Sequence, residues 1–180
     1  MAPGIQADYT ALKLDSSEFP CISYRHFADG LKYGRWTGSA WAIEIVDSDK
    51  DVGLHSSLAL DADDYPHISY EDGFNADLKY AYYNGSNWVL QTIDNSGQVG
   101  SYTSLALDKG DHPHLSYYDY TNSDLKYAHW DGSSWYIEAI DTAGDVGVCT
   151  SIVLDSSGHP HISYVDNSFS GALKYAWYGE

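Results

Sequence analysis

The residues able to do chemistry recur in register along this 180-residue chain. Lys32, Lys79, Lys126 and Lys174 each sit in a Leu-Lys-Tyr triplet and make up four of the nine basic residues. Asp72, Asp119 and Asp166 share one position, two residues after a Ser-Tyr pair, and His26 takes it in the first copy. A hairpin between the two motifs brings lysine and aspartate near each other. One reading is an ion pair between neighbouring elements, since a buried charge needs a partner. The other is a repeated polar pocket whose ammonium and carboxylate would bond sugar hydroxyls. His67, His114 and His161 form a third series, with Cys21 in the first copy. A metal would require them to converge on one ion. They lie in different repeats, so hydrogen bonding into the neighbouring turn is expected instead. His55 aligns with Tyr9, Tyr102 and Cys149. That position can approach the centre of a ring, and His55 and Tyr102 join the lysines and aspartates as ligand-binding candidates.

No nucleophile elbow, paired-histidine metal motif or phosphate loop is present. Carboxylates abound, with 26 Asp and Glu, so a glycosidase pair is one reading. Yet every distinctive residue is repeated, whereas catalytic groups are usually unique. A non-enzymatic binding protein is the expectation, with a structural or protein-interaction scaffold as the alternative. No cofactor is implied, although Asp72, Asp119 and Asp124 are oxygen ligands of the kind that hold Ca²⁺.

The elements that carry these residues follow from the repeat itself. A Leu-x-Leu-Asp-type run ending at Asp15, Asp61, Asp108 and Asp155 precedes a Pro-x-Ile/Leu-Ser-Tyr phrase. Its prolines, Pro20, Pro66, Pro113 and Pro160, are spaced 46, 47 and 47. A Gly-Ser-x-Trp phrase ends in Trp41, Trp88 and Trp135. The units run about 9–54, 55–101, 102–148 and 149–180. Each holds four short strand candidates, A to D, separated by turn chemistry such as Asn84-Gly85 and Asp131-Gly132. Four strands per ~45 residues is the blade of a β-propeller. The expected fold is therefore all-β, built from four-stranded antiparallel blades in a single domain. Turns A–B and C–D should lie on one face. Loops B–C and D–A should lie on the other, and the acidic, aromatic B–C loops are the expected place for a saccharide.

The A–B phrase resembles blade repeats of bacterial and archaeal surface or secreted propellers, including the hairpin of NHL-type repeats. That resemblance implies architecture and favours an extracellular or cell-surface setting. The Gly-Ser-x-Trp turn is loosely similar to the Asp-box of sialidases. However, Asp131 lies directly before Gly132 and no Ser stands four residues before Gly85 or Gly132, so a sialidase is not implied.

The fourth unit reaches Trp177 without a strand D. Three arrangements remain open: a four-bladed ring with a three-stranded last blade, a homodimer completing an eight-bladed ring, and part of a longer propeller. The net charge of −17 makes nucleic acid and anionic membrane poor partners. No apolar run is long enough for a spanning helix. Carbohydrate or a protein surface remains. Cys21 and Cys149 sit at opposite ends of their hairpins, and two free thiols are expected.

Overall fold

The computed structural model describes residues 6–168 and 171–177. Among them there are fifteen strands and no helix. Blade 1 comprises β1 (Ala7–Leu14), β2 (Pro20–His26), β3 (Gly30–Trp36) and β4 (Trp41–Asp47). Blade 2 comprises β5 (Val52–Leu60), β6 (Pro66–Asp72), β7 (Asp77–Tyr83) and β8 (Trp88–Asp94). Blade 3 comprises β9 (Val99–Leu107), β10 (Pro113–Asp119), β11 (Asp124–Trp130) and β12 (Trp135–Asp141). Blade 4 comprises β13 (Val146–Leu154), β14 (Pro160–Asp166) and β15 (Ala172–Trp177). Each is an antiparallel meander with strands in chain order, and the last has three strands. The chain is thus an all-β protein of propeller blades.

Local chemistry sets the meander. In every A–B turn an aspartate accepts backbone N–H groups two and four residues ahead, as Asp61 Oδ1 does from Asp63 and Tyr65. Asp108 does the same for Gly110 and His112. In the C–D turns Asn84 and Asp131 accept in the same way from residues two and three ahead. These side chains replace ladder bonds where the backbone reverses.

The inner strands pack face to face, β1 on β5, β5 on β9 and β9 on β13. They begin earlier than the Leu-x-Leu motif implies, at Val52 rather than near His55. A bulge breaks each inner strand, and Tyr9, His55, Tyr102 and Cys149 sit there with φ between 49° and 55°. The irregularity hides the strand's first half from an alternation pattern.

The core lies between blades. Cys21, Leu31 and Tyr33 of blade 1 meet Val52, Leu58, Ile68 and Tyr70 of blade 2. Leu78 and Tyr80 meet Val99, Leu105, Leu115 and Tyr117. Leu125 and Tyr127 meet Val146, Ile152, Ile162 and Tyr164. Close approach needs glycine at one point. Gly100 has φ +95° and a Cβ there would fall 2.8 Å from Leu78 Cα, with Gly147 placed likewise on Leu125. Cys21 and Cys149 are free thiols, the first buried and the second exposed. Among the described residues no helix is long and apolar enough to cross a membrane.

Candidate ligand clefts between the blades

The repeated lysines cross the blade boundaries. Lys79 Nζ reaches Asp47 Oδ2 of the preceding blade at 2.5 Å and Asp49 at 3.3 Å. Lys126 reaches Asp94 at 2.5 Å, and Lys174 reaches Asp141 at 2.9 Å. The same carboxylates accept from Tyr70, Tyr117 and Tyr164 at 2.7–2.8 Å. The principal partner of Lys79, Lys126 and Lys174 is therefore the aspartate closing strand D, not the Asp72, Asp119, Asp166 series. A bulge before the last residue of β4, β8 and β12 accompanies this inward turn of the aspartate. Asp119 and Asp166 are second partners, at 3.8 and 3.3 Å. Asp72 instead caps its own B–C turn, accepting from Phe74 and Asn75. Lys32 is held by Asp29 within its own blade.

Burial alone would raise the carboxyl of Asp94. The bonds from Lys126, Ser96 and Tyr117 outweigh it and hold the group at about 2. Asp47 and Asp141 are lowered by the same balance. The sites of Lys79, Lys126 and Lys174 are thus closed by the protein's own groups.

His55 and Tyr102 lie elsewhere. Tyr9, His55 and Tyr102 lie in series at the inner bulges, tilted against one another, with ring centroids 4.5 and 4.6 Å apart. Glu71 approaches His55 Nε2 at 3.7 Å. The structure does not bring His55 and Tyr102 together with the lysine–aspartate pairs into one site. Among the described residues no group of three or more His, Cys, Asp or Glu is disposed to hold a metal ion.

His67, His114 and His161 face their own A–B turns, but their hydrogen bonds go to tyrosines of strand C. Nε2 faces Asp61, Asp108 and Asp155 at 3.5–3.9 Å. Nδ1 meets the hydroxyl of Tyr80, Tyr127 or Tyr175. A tyrosine hydrogen donated to Nδ1 leaves the proton on Nε2, directed toward the turn carboxylate. Burial lowers His67 and takes His114 down to about 4.

Two open clefts walled by a strand-D tryptophan lie at the blade boundaries, on the face of the A–B and C–D turns. The second, between blades 2 and 3, has a volume of 210 Å³. Tyr80, Tyr82, Trp130 and Trp135 wall it, and His67, Gln91, Asp111 and His112 edge it. Trp135 Nε1–H donates to Gln91 Oε1 at 3.1 Å, and its ring meets Tyr80 edge-on at 5.5 Å. The first, between blades 1 and 2, measures 270 Å³ and carries Tyr33, Arg35, Glu44, Tyr65 and Trp88. Trp88 Nε1–H donates to Glu44 Oε2 at 2.9 Å, and its ring meets Tyr33 at 5.7 Å. At the third boundary no strand-D tryptophan is present among the described residues; Trp177 of strand C lines a cavity of 20 Å³ with Tyr127, and a separate pocket of 320 Å³ lies between the A–B turns at Asp108 and Asp155.

These residues were not among the candidates taken from the sequence, although the signal was present. Gln91 follows Trp88 by three residues and Glu44 follows Trp41 by three. An odd spacing puts the two side chains on opposite faces of a strand. Strand D thereby gives its tryptophan to the cleft behind and its carboxyl or amide to the cleft ahead.

No family model and no curated protein sequence matches the chain. Solved structures do. A fucose lectin from Kordia zhangzhouensis, in complex with methyl-fucoside, matches with a TM-score of 0.52 and 19% identity, over 72% of this chain and 96% of that one. Aleuria aurantia lectin, in complex with α-methyl-L-fucoside, matches with 0.60 and 14%, over 94% and 56%. A leech intramolecular trans-sialidase matches with 0.60 and 14%, over 93% and 31%. The chain spans about half the length of the Aleuria lectin and a third of the trans-sialidase. At these identities the likeness is one of fold.

Proposed function

We propose that this chain is a non-enzymatic carbohydrate-binding propeller, with its saccharide sites in the two clefts between blades. The observation that carries the reading is the repeated tryptophan wall bonded to a polar side chain of the preceding blade, Trp88 to Glu44 and Trp135 to Gln91. Aromatic faces stack on the C–H side of a sugar ring, while an adjacent carboxyl, amide or guanidinium bonds its hydroxyls. Arg35 and Glu44 supply a donor and an acceptor in the first cleft; Gln91, Asp111 and His112 supply them in the second. The fucoside-bound lectins among the similar folds support this ligand class and make a methyl fucoside the first probe. The repetition of every distinctive group speaks against a single catalytic centre.

The test is a titration of tryptophan fluorescence with methyl α-L-fucoside and a panel of neutral monosaccharides. A saturable change is expected, because Trp88 and Trp135 line the clefts. Silence across the panel, with a folded protein, would turn the assignment to the structural or protein-interaction scaffold.

A further inference from the structure

The two end blades expose surfaces that every other blade covers. Leu173 is 81% exposed, whereas its counterparts Leu31, Leu78 and Leu125 are fully buried. Leu12 is 60% exposed, whereas Leu58, Leu105 and Ile152 are between 1% and 6%. The buried leucines are the two halves of one recurring contact. In each internal boundary a Leu-Lys-Tyr leucine of one blade packs into the same cluster as the A-strand leucine or isoleucine of the next.

Two further repeated contacts have their open halves on the same faces. The hydroxyl pairs Ser23–Ser56, Ser69–Thr103 and Ser116–Thr150 span the internal boundaries at 2.7–3.1 Å. By register the unmatched members are Ser163 on blade 4 and Thr10 on blade 1, both exposed. Tyr33 meets Trp88 and Tyr80 meets Trp135 across their boundaries. Tyr127, Tyr175 and Trp41 lack such a partner; Tyr127 is buried at the third boundary, whereas Tyr175 and Trp41 on the open faces are 58% and 43% exposed. Among the described residues β1 and β13 do not repeat the packing that joins β1 to β5, β5 to β9 and β9 to β13.

We infer that a second copy of this chain covers both faces, blade 4 of each docking on blade 1 of the other. The charges at the two ends fit this pairing. Lys79, Lys126 and Lys174 take a carboxylate from strand D of the blade behind. Lys32 takes its carboxylate from its own blade only, Asp29. Blade 4, with three described strands, presents no strand-D aspartate, and blade 1 needs none. Ring size fits as well. Propellers hold roughly four to eight blades, so two four-bladed chains close a ring where three would exceed it. Head-to-tail contacts that close in this way are stable without further growth. The junction would set Trp41 of one copy against Tyr175 of the other, repeating the wall of the internal clefts.

The test is the solution mass of the 180-residue chain by sedimentation, with no sugar present, so that its outcome is separate from that of the ligand reading. Twice 19.9 kDa is expected. Leu12→Asp and Leu173→Asp should each fall to the single-chain mass while keeping the β spectrum. Their mixture should regain a two-copy species, because one undamaged face of each remains. A wild-type mass of one copy, or of three or more, overturns the inference. So does dissociation by only one of the two variants, which marks a contact between like faces. Should both variants unfold, a chain carrying Thr10→Cys and Ser163→Cys provides the check. Oxidation should cross-link it into dimers, and failure to do so counts against the junction.

Discussion

Lys79 Nζ and Asp47 Oδ2 lie 2.5 Å apart across the boundary between blades 1 and 2, both side chains being at most a tenth exposed. Tyr70 donates to the same oxygen at 2.7 Å. The pair joins strand C of one blade to the end of strand D of the blade behind, so it reports on blade docking rather than on the stability of one sheet. Lys79→Met leaves a buried carboxylate without its cation, which costs about 3–5 kcal/mol. Adding Asp47→Asn should restore much of that loss. Lys174→Met should cost less, because that side chain is 33% exposed. Urea unfolding of the three variants beside the wild type checks this. Equal losses for Lys79→Met and Lys174→Met would contradict it.

Acid should unfold the protein in two stages. His114 is depressed by burial to about 4, below its usual 6.5, with Asp108 opposing and His129 and His112 reinforcing the shift. His67 is lowered by burial as well. For these bases the unfolded chain binds more protons between the two values, so stability falls as pH drops from about 6.5 to about 4. Asp94 is held at about 2 against a usual 3.8. Its contribution, about 2 kcal/mol, is present above pH 4 and is lost as pH falls from there to 2. Melting temperature against pH should therefore decline below neutrality and more steeply below 4. A His114→Gln variant should flatten the first stage. A flat profile between pH 7 and 4 would sink the argument.

Gly100→Ala should destabilise more than an ordinary strand glycine change. The site has φ +95°, and the new Cβ would sit 2.8 Å from Leu78 Cα, a backbone atom that cannot swing aside. Gly158 has φ +87° with nothing within 4 Å. Gly158→Ala thus carries the conformational strain alone, about 1 kcal/mol. The difference between the two variants, read by thermal melting, isolates the cost of separating blades 2 and 3. No difference would mean that the blades shift apart freely.

The sequence showed the blades more plainly than the site. Leu-Lys-Tyr, Pro-x-Ile-Ser-Tyr and Gly-Ser-x-Trp mark strands C, B and D because they carry the alternation that a blade buries on both faces. The first residues of strand A escaped, since the bulge at Tyr9, His55, Tyr102 and Cys149 breaks that alternation. The lysine's partner escaped for a related reason. Asp47, Asp94 and Asp141 end an outer strand that reads as a solvent edge, and only packing between blades brings them to Lys79, Lys126 and Lys174. The clefts are also products of neighbouring blades. Glu44 and Trp88 are 44 residues apart and meet only when blade 2 docks on blade 1.

Those clefts give the last prediction. If each holds one saccharide, then Trp88→Ala should remove one site per chain and Trp135→Ala another, as counted by calorimetry with a methyl fucoside. Trp135→Phe keeps an aromatic face but loses the N–H that Gln91 accepts at 3.1 Å. It should retain the site with about 3–10-fold weaker binding, on the scale of one net hydrogen bond. The two clefts should also respond differently to charge. Arg35 is the cationic donor in the first, so Arg35→Ala should weaken that site and leave the second intact. The Trp88→Ala, Trp135→Ala double variant should fold and lose both sites. Unchanged stoichiometry in that variant would place the sugar elsewhere, with the B–C loops around Asp72 and Asp119 next to be tested.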